Sequence, residues 1–232
     1  MADDIKSGMD PRVPLLLLLS VTTGLVDAAS VLGLGKVFTA NMTGNVVFLG
    51  FAAAGTPGFR VAPFVIAILS FLVGALIAGR TARIYAGLSE RRWLLTAALV
   101  ETVLLWIAAF VARGFDVASQ SPDPALFAII ALTGLAMGFR NATIRSLKVA
   151  DLTTTVLTLT LTGIAADSGA AGGGNPNWGR RIAAVIAIFA GAAIGAWLLF
   201  HVGLAAPLAV AGGLVLLGTI ACALHPAMRR PI

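Results

Sequence analysis

The sequence predicts an all-α integral membrane protein of two inverted repeats, with six transmembrane helices and two re-entrant half-helices. Three observations predict it. Of the 232 residues, 59% are hydrophobic and 11% charged, with a mean hydropathy of +0.97; ordinary soluble domains do not carry that balance. Several apolar runs reach the roughly 17–25 residues a helix needs to span a bilayer. The chain also repeats itself. A shift of 110 positions lays Pro14, Leu16, Thr23, Gly24, Leu25, Ala40, Thr43, Val46 and Leu49 on Pro124, Leu126, Thr133, Gly134, Leu135, Ala150, Thr153, Val156 and Leu159 without a gap.

The polar, mixed-charge segment 1–13 precedes the first span, 13–35. That run is too long for a signal-peptide core and lacks a persuasive cleavage site, so it reads as a retained helix. A shorter, more polar run at 40–54 follows, then spans at 61–79 and 93–112. These make the first repeat, 14–112. Asp116 and Asp123 mark the linker 113–124 as external. The second repeat, 125–226, holds spans at 125–144, 182–200 and 204–224 and a short polar run at 151–165. Residues 227–232 form the C-terminal tail. Val65–Ile68 recurs as Val185–Ile188, and Ser70…Gly74 as Gly191…Gly195. Small-x-x-x-small spacing puts both small residues on one helix face and admits close backbone approach.

Loop charges choose the topology. If all eight runs crossed, the 16 Lys and Arg would divide equally and give no orientation. If both short runs enter and leave on one side, only Lys36, Arg60 and Arg113 are external. The positive-inside rule selects that arrangement, with both termini in the cytoplasm. Three full spans then separate the starts of the two copies, which makes the repeats inverted. The net charge of +6 reads as loop arginines that set orientation, so no nucleic-acid partner is expected.

The polar residues at membrane depth carry the candidate chemistry. Asn41, Thr43 and Asn45 open one short run; Asp151, Thr153 and Thr155 open the other. Asn and Asp are favoured N-caps because their side chains accept bonds from unpaired backbone N–H groups. Asn41 and Asn45 share a helix face, and Asp151, Thr155, Thr158 and Thr162 form a stripe. Half-helix N-termini meeting at depth offer N–H donors and partial positive charge to a ligand. Asp27 falls near the middle of the first span and Glu101 near the middle of another. A central acid costs about 2.5–3.5 kcal/mol to insert and normally faces a partner or a wet cavity. Asp27 is expected to bind a proton or orient the site, whereas Glu101 leans toward a buried structural bond. Arg140 and Asn141 are secondary candidates; Arg140 is left between Asp27, Asp151 and snorkelling. The competing structural reading makes the short runs interfacial loops with ordinary capping and the Thr stripe interhelical glue. His201, His225 and the lone Cys222 suggest neither a metal site nor a catalytic dyad, so no enzyme and no cofactor is expected.

With these residues in view, the chain resembles the YoaK family of small bacterial membrane proteins, a group of unknown function. The likeness rests on Gly24-Leu-Val-Asp27-Ala28, Phe38-Thr-Ala-Asn41-Met-Thr43-Gly44-Asn45, Gly138-Phe-Arg140-Asn141-Ala142, Thr153-Thr154 and Thr162-Gly163, and runs from about Pro14 to Leu224. It departs at Arg140, where many members carry Gln. The resemblance implies about six spans in a bacterial cytoplasmic membrane and supplies no substrate.

The function expected is a small secondary transporter or facilitator of a small polar or anionic solute, with lipid and a solute or proton as partners. A passive channel of the same architecture is one alternative, and a non-transporting membrane subunit is another. A chain of this size with short loops can also dimerise, although no residue specifies it. In a Cys222→Ser background, a cysteine at Thr56 should label from outside intact cells and one at Ser89 only after permeabilisation. The reverse pattern would mean eight spans.

Overall fold

The computed structural model describes residues 10–85, 89–147 and 157–229. Among these, six long helices carry the fold: α1 (Arg12–Gly33), α3 (Val61–Ile84), α4 (Glu90–Ala112), α5 (Asp123–Leu147), α7 (Trp178–His201) and α8 (Ala205–Leu224). Two short ones, α2 (Met42–Ala53) and α6 (Leu157–Ala166), complete it. All six long helices are apolar and long enough to cross a membrane. At 1.5 Å per residue, α2 reaches about 18 Å, little more than half the hydrocarbon core.

The six expected spans are therefore present, and most extend past the apolar run into polar flanks such as Arg80, Arg83, Glu90 and Arg145. Charged side chains there reach the interface while their stems stay on the helix. The first short run begins later than its composition suggested, at Met42, and the second is described from Leu157 onward. Asp151, Thr153 and Thr155 lie outside the described residues.

Contacts between helix ends fix how the chain runs. The Gln120 side-chain amide donates to the Gly33 carbonyl at 3.0 Å, and the Lys36 ammonium lies 4.7 Å over the Phe59 ring. Arg60 grips Asp123 with both terminal nitrogens, at 2.9–3.0 Å. The end of α1 and the starts of α3 and α5 thus share one end of the bundle, so α2 leaves from and returns to the same end. At the other end, Arg12 approaches Glu90 to 3.6 Å and Cys222 donates to the Pro11 carbonyl at 3.4 Å. Eight crossings would put Lys36 and Arg60 at opposite ends, and likewise Arg12 and Glu90. Leu16, Leu94, Ile144, Ala184 and Val215 join in one core cluster at the Arg12 end, which places the end of α5 and the start of α7 there too. So α6 also returns to the end it left.

The turn after α1 needs a particular backbone. Gly35 and Lys36 both have left-handed φ, 76° and 68°, and the Lys36 N–H closes on the Val31 carbonyl at 3.1 Å. Gly35 adopts this readily because it has no Cβ. The reversal sends residues 37–41 back into the bundle.

Packing is exchanged between the halves. The tightest partners are α1 with α7 and α3 with α5, while α4 crosses α8. Each first helix of a repeat therefore lies on the third helix of the other. The match extends to residues. A Cβ on Gly24 would sit 2.3 Å from the Ile188 carbonyl oxygen and 2.9 Å from the Gly191 carbonyl carbon, and its repeat mate Gly134 meets Ser70 Oγ at 2.4 Å. Gly195 packs on Leu25, and Gly74 packs on Leu135. In lipid, where burial of apolar surface gives helices little reason to associate, such close approach is what van der Waals attachment needs.

A methyl group at Gly191 would meet the Val21 carbonyl at 2.0 Å, and one at Gly138 the Phe71 carbonyl at 2.0 Å, whereas Gly79 has nothing within 4 Å. Gly191→Ala and Gly138→Ala should each lower unfolding stability in micelles by about 1–3 kcal/mol. Gly79→Ala should leave it unchanged or slightly raised.

Candidate functional site

Buried polar groups lie on three of the long helices: Thr23 on α1, Glu101 and Thr102 on α4, Thr133 and Arg140 on α5. Two arrangements arise there.

The first joins α1 to the re-entrant segment. Asp27 lies six residues inside the end of α1, about 9 Å along its axis. Its Oδ2 accepts a hydrogen bond from Asn41 Nδ2 at 2.6 Å, and the Ala40 backbone N–H also faces this carboxylate. Oδ1 is buried with no hydrogen-bond partner. Asn41 occupies the N-cap position of α2 with extended backbone (φ −117°, ψ 92°) but makes no side-chain cap bond. This corrects the expected capping role: the carboxylate of Asp27 outcompetes a backbone N–H for the Asn41 amide because charge-assisted bonds are stronger.

Asn45 has a different task from the one its motif suggested. It is fully buried, and its Oδ1 accepts from the Phe38 N–H at 2.9 Å while its Nδ2 donates to the Phe38 carbonyl at 2.5 Å. The side-chain amide thus imitates a neighbouring strand and satisfies backbone that would otherwise be unpaired at depth. Gly44 lets the Phe38 ring close over the first turn of α2, since a Cβ there would come within 2.7 Å of it. Phe48, Phe59 and Phe64 continue that aromatic cluster toward the end of the bundle. Thr43 is exposed on the same turn, away from the buried polar set. Of the expected Thr stripe, Thr158 and Thr162 are exposed, and Thr160, two residues from each and so roughly on the opposite side of the helix, is the buried one.

The second arrangement is an ion pair. Arg140 and Glu101 are 2% and 4% exposed, and Glu101 stands at the midpoint of α4. Arg140 Nε donates to Glu101 Oε1 at 2.7 Å, and Nη2 donates to the same oxygen. Nη1 donates to the Leu19 carbonyl at 3.1 Å and to Thr23 Oγ1 at 3.0 Å. Arg140 therefore binds neither Asp27 nor the surface. Its long side chain crosses from α5 to reach α4 and α1. Beside the pair lies a cavity of about 20 Å³ with Thr143 and Thr219 in its lining, enough for about one water molecule. Asn141, one residue on, donates to the Met137 carbonyl at 2.9 Å within its own helix.

Sequence reasoning named Asp27, Asn41, Glu101 and Arg140, and the structure joins them as two separate pairs. It gave no role to Thr23, although that residue stood in the repeat match, or to Thr39, which sat unassigned inside the Phe38–Asn45 motif. Thr39 is fully buried and its hydroxyl has no partner. Outside the membrane-spanning segments the charges are conventional. The Arg12 guanidinium holds the Asp10 carboxyl below the usual carboxylate range, and Arg60 pairs with Asp123 at the exposed start of α5.

Removing one member of a buried ion pair strands the other charge, at a cost of about 3–5 kcal/mol. Glu101→Leu and Arg140→Met should each be strongly destabilising in detergent unfolding. The double variant Glu101→Leu/Arg140→Met should recover much of that loss. Additive losses would show that the two residues act independently.

Residues 15–221 match the family model described as a protein of unknown function, DUF1275. The chain is also 34% identical over 157 residues to the UPF0700 transmembrane protein YoaK of Bacillus subtilis (strain 168), covering 67% of each chain. No solved structure matches. A multi-pass helical bundle with this sequence match across nearly its whole length belongs to the DUF1275 family of membrane proteins.

Proposed function

We propose that this protein is a small secondary transporter or facilitator of a small polar or anionic solute, and not an enzyme. It would reside in a bacterial cytoplasmic membrane with both termini inside. Its two inverted repeats would alternate access by rocking against each other. The reading rests above all on one observation. The half-helix α2 begins deep in the bundle at Asn41, beside an Asp27 carboxylate with one unpaired oxygen, and runs outward to the end where α1 finishes. Broken helices whose N-termini open at depth are how transporters of unrelated families build solute sites.

The exchanged packing supports the same reading. Because α1 lies on α7 and α5 on α3, any relative motion of the halves occurs across those small-residue contacts and passes through the site. In this scheme Asp27 and Asn41 line the site from one repeat, and Asp151, Thr153 and Thr155 would line it from the other, whereas Thr43 faces away from it. Asn45 positions the α2 backbone. The Glu101–Arg140 pair holds α1, α4 and α5 in register around it.

The test is uptake into proteoliposomes of a labelled panel comprising amino acids, dicarboxylates, sugars and inorganic anions, with and without an imposed proton gradient. Saturable uptake of one class is expected, reduced about tenfold or more by Asp27→Asn, the scale of one lost charge-assisted hydrogen bond. Flux that never saturates and ignores the gradient would make the protein a passive pore. Folded protein that moves nothing on the panel would overturn the transport reading in favour of a membrane subunit.

A further inference from the structure

We infer that Asp27 and Thr39 form a binding site for a small monovalent cation of sodium size. This deepens the transport reading and rests on it for its purpose, although the site has its own evidence. Two buried oxygen atoms in this region have no hydrogen-bond partner, Asp27 Oδ1 and Thr39 Oγ1. Both are acceptors. Thr39 is fully buried and stands next to Ala40, whose N–H faces the Asp27 carboxylate. Two residues further on, Asn41 donates to that carboxylate's other oxygen. Asp27 and Thr39 do not bond each other, which leaves both oxygens open to a third group.

Charge decides what kind of group. The buried cation nearest in the polar belt, Arg140, directs its donors to Glu101, the Leu19 carbonyl and Thr23. No ion pair reaches Asp27 among the described residues. An acid with no positive partner at membrane depth is costly. A carboxylate, a hydroxyl and the carbonyls of non-helical backbone make the hard-oxygen set that alkali cations take, and unwound segments supply such carbonyls in other transporters. The residues just before α2 are non-helical.

The same cation settles a conflict within the site. The N-terminus of α2 favours an anionic solute, whereas the Asp27 carboxylate repels one. A bound cation cancels that repulsion, so cation and anionic solute would bind together and travel together.

Purified protein is melted in detergent across a sodium chloride series, with choline chloride holding ionic strength constant. A saturable rise in melting temperature of about 3–6 °C is expected once sodium reaches roughly ten times its Kd. Thr39→Val removes the hydroxyl at nearly constant volume and should abolish the rise, as should Asp27→Asn. Potassium giving the same rise would keep the site and remove its size selection. A melting temperature indifferent to sodium, or an equal response in Thr39→Val, overturns the site and leaves water as the group between the two oxygens. The measurement needs no transport. A sodium response without flux in liposomes would sink the transport reading alone, and sodium-independent flux with no melting response would sink the cation site alone.

Discussion

A guanidinium group at the centre of a bilayer must be matched on every side, and the way Arg140 is matched organises this bundle. Its donors reach a carboxylate on α4, a carbonyl on α1 and a threonine hydroxyl on α1. Three helices from two repeats are tied at one depth. Burial of such a pair is weak evidence of net stability, because two desolvated charges recover little more than their own hydration. Its contribution is to register. Displacing α4 or α5 along its axis by one turn, about 5.4 Å, would break both contacts with Glu101 and leave two lone charges in hydrocarbon.

The second demand is set by the backbone. Residues 37–41 enter the membrane without helical bonds, and lipid offers no substitute. The Asn45 amide meets that demand at Phe38 by supplying both a donor and an acceptor, while the Asp27 carboxylate faces the Ala40 N–H and holds the Asn41 side chain. Polar residues that sequence alone presents as one cluster therefore divide into two kinds. Asn45 is consumed by the protein's own backbone. Asp27 and Thr39 keep an oxygen apiece uncommitted.

Much of this was legible beforehand. Composition gave the membrane class, and loop charges selected the arrangement in which α2 returns to the end it left, as the Lys36–Phe59 and Arg12–Glu90 contacts bear out. The small residues of the repeat match are those at which α1 meets α7 and α3 meets α5. Periodicity could not reveal which polar side chains meet across helices. Glu101 and Arg140 are 39 positions apart and their partnership depends on the crossing of α4 with α5, which no local pattern encodes. The Asn41 amide could equally have capped its own helix, and only the proximity of Asp27 decides otherwise. The phase of α6 was misjudged for a related reason: threonine sits comfortably on either face of a membrane helix, so a Thr stripe does not identify the inner one.

The exchanged packing has a consequence for how the chain comes to be folded. The first helix to leave the ribosome finds its main partner only when the seventh has been made, and α3 must wait for α5. Through most of synthesis the small-residue face of α1, with its acid at Asp27, has nothing but lipid or the insertion machinery against it. Neither half is a complete folding unit. Assembly is therefore a late, concerted closure of two open halves, and a chain cut in the linker 113–124 would have to be rebuilt as a complex of two interlocked fragments.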